Sequence, residues 1–154
     1  MTPYFAYGSN MGICAMRARC PGARAVGAAR LDGWRFIIMR GGYASAVRSP
    51  GSAVHGVLWQ LTPRDLAALN AYENLDAGLY LRRTVPVRSA AALQRAVIYL
   101  GHTRQEGRPD PAYQADIVEA ARNWRFPAGY LAELRRWSPG GWRGAAKPQP
   151  GEAA

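Results

Sequence analysis

Lysine is nearly missing from this 154-residue chain: nineteen of its twenty basic residues are arginine. The arginines are scattered from Arg17 to Arg143, in runs no longer than the pairs Arg82-Arg83 and Arg135-Arg136. A formal charge of +10 invites a nucleic-acid reading. No stripe of cations and aromatics at regular spacing is present to track a phosphate backbone, so nucleic acid is not an expected partner. Cysteine is scarce too. Cys14 and Cys20 cannot supply a disulfide framework, and with two histidines they do not make a four-ligand zinc site at sensible spacing, so no metal is expected. No apolar stretch approaches the roughly 18 residues of a membrane span. The opening MTPYFAYGSNMG has no basic segment before an apolar run, which predicts a cytoplasmic rather than a secreted protein.

What is present is a core. Hydrophobic residues make up 49% of the chain, enough for one domain and too few residues for two. The domain is expected to span residues 1–138. The remainder, 139–154, reads PGGWRGAAKPQPGEAA and is predicted to be a flexible tail. Strands are predicted at residues 4–7, 31–39, 44–48, 54–61, 80–87 and 95–101, with turns at Gly41-Gly42 and Pro50-Gly51. Pro86 suits an edge position or a bulge. Helices are predicted at 11–19 and 63–72. The second opens on Thr62-Pro63-Arg64-Asp65, where the threonine caps, the proline fits the first turn and the aspartate meets the helix dipole. Leu66, Leu69 and Tyr72 share one face of it. Two further helices close the domain, one presenting Ile117, Ala121 and Trp124, the other Leu131, Leu134 and Trp137, with Phe126-Pro127 between them. Several consecutive strands mixed with helices favour an α+β fold over a doubly wound sheet.

Two segments carry candidate chemistry. Tyr7-Gly8-Ser9-Asn10 falls where a strand gives way to a helix. Successive N–H groups there can hold an anion or oxyanion, with Ser9 and Asn10 adding a hydroxyl and an amide. An ordinary capped turn is the other reading. Glu73 ends the 63–72 helix, where the carbonyl dipoles oppose a negative charge. Inside a partly apolar cleft its pKa would rise toward neutrality and suit a proton shuttle; on the surface it would be an ordinary solvated glutamate. His55 reads as a core residue, His102 as exposed, Cys14 and Cys20 as small buried residues. Asp76 reads as a turn residue.

Taken in order, these pieces resemble the γ-glutamylcyclotransferase family over roughly residues 3–137. The most specific elements are Tyr4-Phe5-Ala6-Tyr7-Gly8-Ser9-Asn10-Met11 and Glu73-x4-Gly78-x-Tyr80. Val54-His55-Gly56-Val57-Leu58-Trp59 and the closing Tyr113…Ala120-Ala121…Phe126-Pro127…Tyr130…Leu134 add to them. The resemblance implies a small mixed-strand β-barrel flanked by about four helices, with one cavity beside the first loop. It implies cyclisation of a small γ-glutamyl substrate to 5-oxoproline with release of an amine or amino acid, without metal or nucleotide cofactor. It assigns Glu73 as the acid/base, the backbone from Tyr7 through Gly8 and Ser9 to Asn10 as the glutamyl cradle, and Tyr80 and Tyr113 as walls. The alternative within the same fold is a binding module without turnover. The chain departs from many relatives at Pro109-Asp110-Pro111-Ala112, where those carry a serine, so leaving-group preference is not carried over. Asp76 and Asp110 are the carboxylates that would make the cavity acidic toward a polyamine.

Overall fold

Strand β1 (Thr2–Ala6) runs antiparallel to β3 (Ala44–Leu61), which forms a long hairpin with β2 (Arg24–Ile38). Strands β4 (Tyr80–Ser89) and β5 (Leu93–Gly101) form a second hairpin. The strand order is β1-β3-β2-β4-β5, and a parallel bridge between Tyr4 and Val97 returns β5 to β1 and closes the barrel. This computed structural model describes residues 1–138; the predicted tail at 139–154 lies outside the described residues.

The barrel fills with alternating inward side chains, among them Phe5, Leu31, Ile37, Val54, Leu58, Val87 and Ile98, all essentially inaccessible to water. Helices α1 (Ile13–Arg19), α2 (Pro63–Tyr72), α3 (Pro111–Asn123) and α4 (Ala128–Arg135) complete the fold, contributing Met16, Leu69, Ile117, Ala121 and Leu134 to the same core. A single 3-10 turn, Ser9–Met11, precedes α1.

Helix α2 starts as its sequence demands. The Thr62 hydroxyl accepts from the Asp65 N–H at 3.1 Å, and the Asp65 carboxylate accepts from the Thr62 N–H at 3.2 Å. Asp65 is buried and also accepts from the Gly22 N–H at 3.3 Å, which ties the end of α1 to the start of α2. The helix ends because Asn74 turns left-handed, at φ 51°.

Four expectations need correction. Strand β2 begins at Arg24, seven residues before the predicted start, because its first half is exposed and carries little apolar alternation. Pro50-Gly51 does not separate two strands. Between Asp32↔Ala53 and Trp34↔Arg48 the four residues 49–52 oppose Gly33 alone, so the segment is a bulge within β3, with Gly33 and Gly51 at φ 84° and 85°. Cys14 is exposed on α1, while Cys20, just past the end of that helix, is buried with its thiol donating to the Asp65 carbonyl at 3.6 Å. Tyr72 is exposed rather than packed beside Leu69. Pro86 sits where expected, since the pairing of β4 with β2 is confined to Arg88 and Ser89 and leaves that flank of Pro86 without a ladder. Asp110 caps α3 by accepting from the N–H groups of Ala112 and Tyr113 at 2.9 and 3.1 Å.

Gly56 marks a close approach of β3 to β1. A Cβ there would lie 2.4 Å from the Ala6 carbonyl oxygen and 2.7 Å from the Phe5 ring. Neither a backbone nor a buried ring can yield cheaply. Gly56→Ala is therefore expected to lower stability by about 1–3 kcal/mol, read from urea unfolding; an unchanged midpoint would show that β1 and β3 separate freely.

Candidate active site

β1 delivers Tyr4 and Tyr7 to one end of the barrel, and the chain then passes through Gly8 into the 3-10 turn. Side chains are crowded here: a Cβ on Gly8 would meet the Ala44 Cβ at 3.2 Å and the Tyr113 hydroxyl at 3.6 Å. The first hydrogen bond of the turn runs from the Met11 N–H to the Gly8 carbonyl. The N–H groups ahead of it, on Gly8, Ser9 and Asn10, have no partner within the turn. Asn10 is buried, and both ends of its amide are engaged: Nδ2 donates to the Tyr4 hydroxyl at 3.0 Å, and Oδ1 accepts from Arg19.

Opposite this loop stands Glu73, held as the C-cap of α2 by its own N–H, which donates to the Leu69 carbonyl at 2.8 Å. The two features enclose a cavity of about 240 Å³. Tyr80 and Tyr113 form a further wall by gripping the backbone of one residue, Ala44. The Tyr80 hydroxyl donates to the Ala44 carbonyl at 2.7 Å, and the Tyr113 hydroxyl accepts from the Ala44 N–H at 3.1 Å. All seven residues singled out in the sequence, from Tyr7 to Asn10 with Glu73, Tyr80 and Tyr113, therefore line one cavity.

Sequence reasoning missed the other tyrosines. Tyr4, Tyr43, Tyr72 and Tyr99 also line the cavity, so seven of the eight tyrosines in the chain meet there. A signal existed in that tyrosine outnumbers phenylalanine eight to three in an apolar-rich chain, and a buried phenol must find a partner. Tyr7 donates to the Tyr99 carbonyl at 2.6 Å, and Tyr99 donates to Asn70 Oδ1 at 2.6 Å. Burial pushes the phenol pKa upward at Tyr4, Tyr7, Tyr80, Tyr99 and Tyr113, and the Glu73 charge adds to each, so these hydroxyls stay neutral.

Glu73 is the one carboxylate among the described lining residues. Burial pushes its pKa up to about 7, with the Arg19 cation acting in the opposite direction. Asp76 and Asp110 do not line the cavity, so neither makes it acidic. His55 packs instead against Phe126 and Tyr130, and His102 is exposed. Among the described residues no group of three His, Cys, Asp or Glu side chains is placed to hold a metal ion.

A sequence profile of the family described as "Gamma-glutamyl cyclotransferase, AIG2-like" matches residues 4–125. The chain belongs to this family. It is 27% identical over 154 residues to the human protein named "Gamma-glutamylcyclotransferase", covering 92% of this chain and 81% of the human one. The bovine protein of that name is 28% identical over 152 residues, with the same coverage. A solved structure named "Gamma-glutamyl cyclotransferase" superposes with a TM-score of 0.83 at 25% identity, covering 95% of this chain and 93% of that one. The closed five-strand barrel is thus a fold shared with a solved protein of that name.

The position of Glu73 has a thermodynamic signature. Its folded pKa of about 7 lies above the ordinary value of 4.5, so the folded protein holds the proton more tightly. That contribution is complete below pH 4.5 and is lost as pH rises through 7. Glu73→Gln should match the parent near pH 4.5 and exceed it by roughly 2–4 kcal/mol at pH 8, in urea unfolding at both pH values. Equal differences at the two pH values would place Glu73 in solvent.

Proposed function

We propose that the cavity folds a γ-glutamyl chain back on itself and that Glu73 moves the proton this cyclisation requires. The chain is an enzyme of the γ-glutamylcyclotransferase type, as its family, its curated relatives and its matching fold agree. The observation that carries the residue-level reading is the placement of one carboxylate, with its pKa raised to about 7, in a cavity lined by seven tyrosines and no other charged side chain among the described lining residues.

In this reading the substrate supplies its own nucleophile. The α-ammonium gives a proton to the Glu73 carboxylate, and the freed amine attacks the γ-carbonyl carbon. A five-membered lactam forms as the attacking nitrogen sheds its second proton, the bond from that carbon to the amide nitrogen breaks, and the departing nitrogen takes up both protons, the first returned by Glu73, to leave as the ammonium. Products are 5-oxoproline and a free amine or amino acid. Holding attacking and reacting atoms together supplies an advantage that reaches roughly 7–11 kcal/mol in well-oriented cases. The N–H groups of Gly8, Ser9 and Asn10 point to an anionic oxygen of the substrate, either the developing oxyanion or the α-carboxylate. The ring faces of Tyr80 and Tyr113 would bound the folded chain, with no cofactor taking part. We place the partner among small γ-glutamyl molecules and not nucleic acids. No helix among the described residues is long and apolar enough to cross a membrane. The unpaired Cys14 and Cys20, the former exposed, favour a reducing cytoplasmic compartment.

The test is release of 5-oxoproline from γ-glutamyl amino acids, glutathione, γ-glutamyl-lysine and a γ-glutamyl polyamine. Glu73→Gln should lose about 10²–10⁴-fold in rate while keeping the fold. For the parent, kcat/KM should rise as pH passes about 7, because Glu73 must be ionised to accept the proton, and fall again once the substrate ammonium deprotonates. A variant as active as the parent would remove Glu73 from the mechanism.

A further inference from the structure

Arg19, the last residue of α1, touches both sides of the catalytic cavity through one side chain. Its guanidinium donates to Oδ1 of Asn10 and, at 3.5 Å, to Oγ of Ser9. The same guanidinium lies over the ring of Tyr72, 3.9 Å from its centroid. Ser9 and Asn10 belong to the loop that supplies the cavity's N–H groups; Tyr72 immediately precedes Glu73. A planar cation with several donors is suited to this double task, stacking on a ring while its edge donates to oxygens. A lysine ammonium, a compact point charge, is not.

We propose that Arg19 is a positioning residue of the cyclisation: it clamps the Gly8–Asn10 loop to the end of α2 and keeps a positive charge within range of the Glu73 carboxylate. This rests on the reading of Glu73 as the acid/base. The groups facing Glu73 are Tyr4 from β1, Tyr7 just beyond it, Tyr80 from β4, Tyr99 from β5 and Tyr113 from α3, all neutral phenols. Arg19 from α1 is the cation that opposes the burial of Glu73. Without it, more of the enzyme at neutral pH would carry a protonated Glu73, unable to accept the ammonium proton. The loop would also lose the tie that aims its amides across the cavity.

The experiment compares the parent with Arg19→Gln and Arg19→Lys by two readouts. One is titration of the Glu73 side-chain carboxyl carbon by NMR, its resonance identified by its loss in Glu73→Gln. The other is the pH profile of 5-oxoproline release. In Arg19→Gln the Glu73 midpoint is expected to move above its parental position, and the acid limb of kcat/KM to move with it. In Arg19→Lys the retained charge should hold the midpoint near the parental one. Both variants should lose kcat, on the order of 10²-fold for glutamine and less for lysine, with smaller changes in KM. Arg19→Met serves as the uncharged variant if the glutamine does not fold. An uncharged variant whose Glu73 midpoint equals the parental one overturns the proposal, whatever happens to the rate. The carboxyl titration needs no turnover. Absence of 5-oxoproline release by the parent would therefore sink the reading of Glu73 as a catalyst, while a displaced midpoint would still bear out the electrostatic hold of Arg19.

Discussion

Everything at the cavity end of the barrel depends on the bridge that closes it. Without Tyr4↔Val97 the five strands would be an open sheet with β1 and β5 as bare edges, exposed to pairing with other chains. Closure brings the rings of Tyr4 and Tyr99 edge to face at 5.8 Å and lets Tyr7 reach the Tyr99 carbonyl. The last residues of β1 are then fixed from both flanks, and the chain leaves the strand at one defined point on the rim. The loop that follows is as well placed as the barrel itself. A loop whose anchor is a closed sheet loses little entropy when a ligand arrives, because its order was established on folding.

The carboxylate across from it is governed by three opposed influences. The α2 carbonyls and the apolar surroundings disfavour its charge, and Arg19 favours it. Neither side wins outright, and the balance falls near neutrality. The backbone enforces the contest: the helix ends at Glu73 and the left-handed Asn74 turns the chain away at once. Bulk solvent would relieve the first two influences, while deeper burial would remove the charge altogether. A group balanced in this way can both take and give a proton at physiological pH.

Much of this was legible in the residues, unevenly. Helix α2 was readable to its last residue because its signals are local: a capping threonine, a proline in the first turn, an aspartate three residues on. The first half of β2 was not, since residues 24–30 take their extended form from pairing with β3 rather than from their own pattern. Pro50-Gly51 misled because the same two residue types build a turn and a bulge, and only the partner strand distinguishes them. In the site, the glycine loop and Glu73 stood out through family motif and helix-end position. Tyr99 did not, for its link to Tyr7 spans 92 residues of sequence, and nothing along the chain announces which strands meet when a barrel closes. Arg19 was one cation among twenty until its neighbours were known.

The grip of Tyr80 and Tyr113 on the Ala44 backbone has an evolutionary consequence. Each of these rings shapes the cavity with its face and holds a backbone group with its hydroxyl, so replacing either one alters the wall and the strand together. Drift toward new leaving groups is therefore costly there, and selection meets least resistance at positions that line the cavity without holding the sheet. Tyr43 and Leu79 are such positions, the first exposed and the second half-buried. The fold thus separates lining positions that also hold the sheet from lining positions free to vary between lineages, and diversity within this architecture should be sought at the latter.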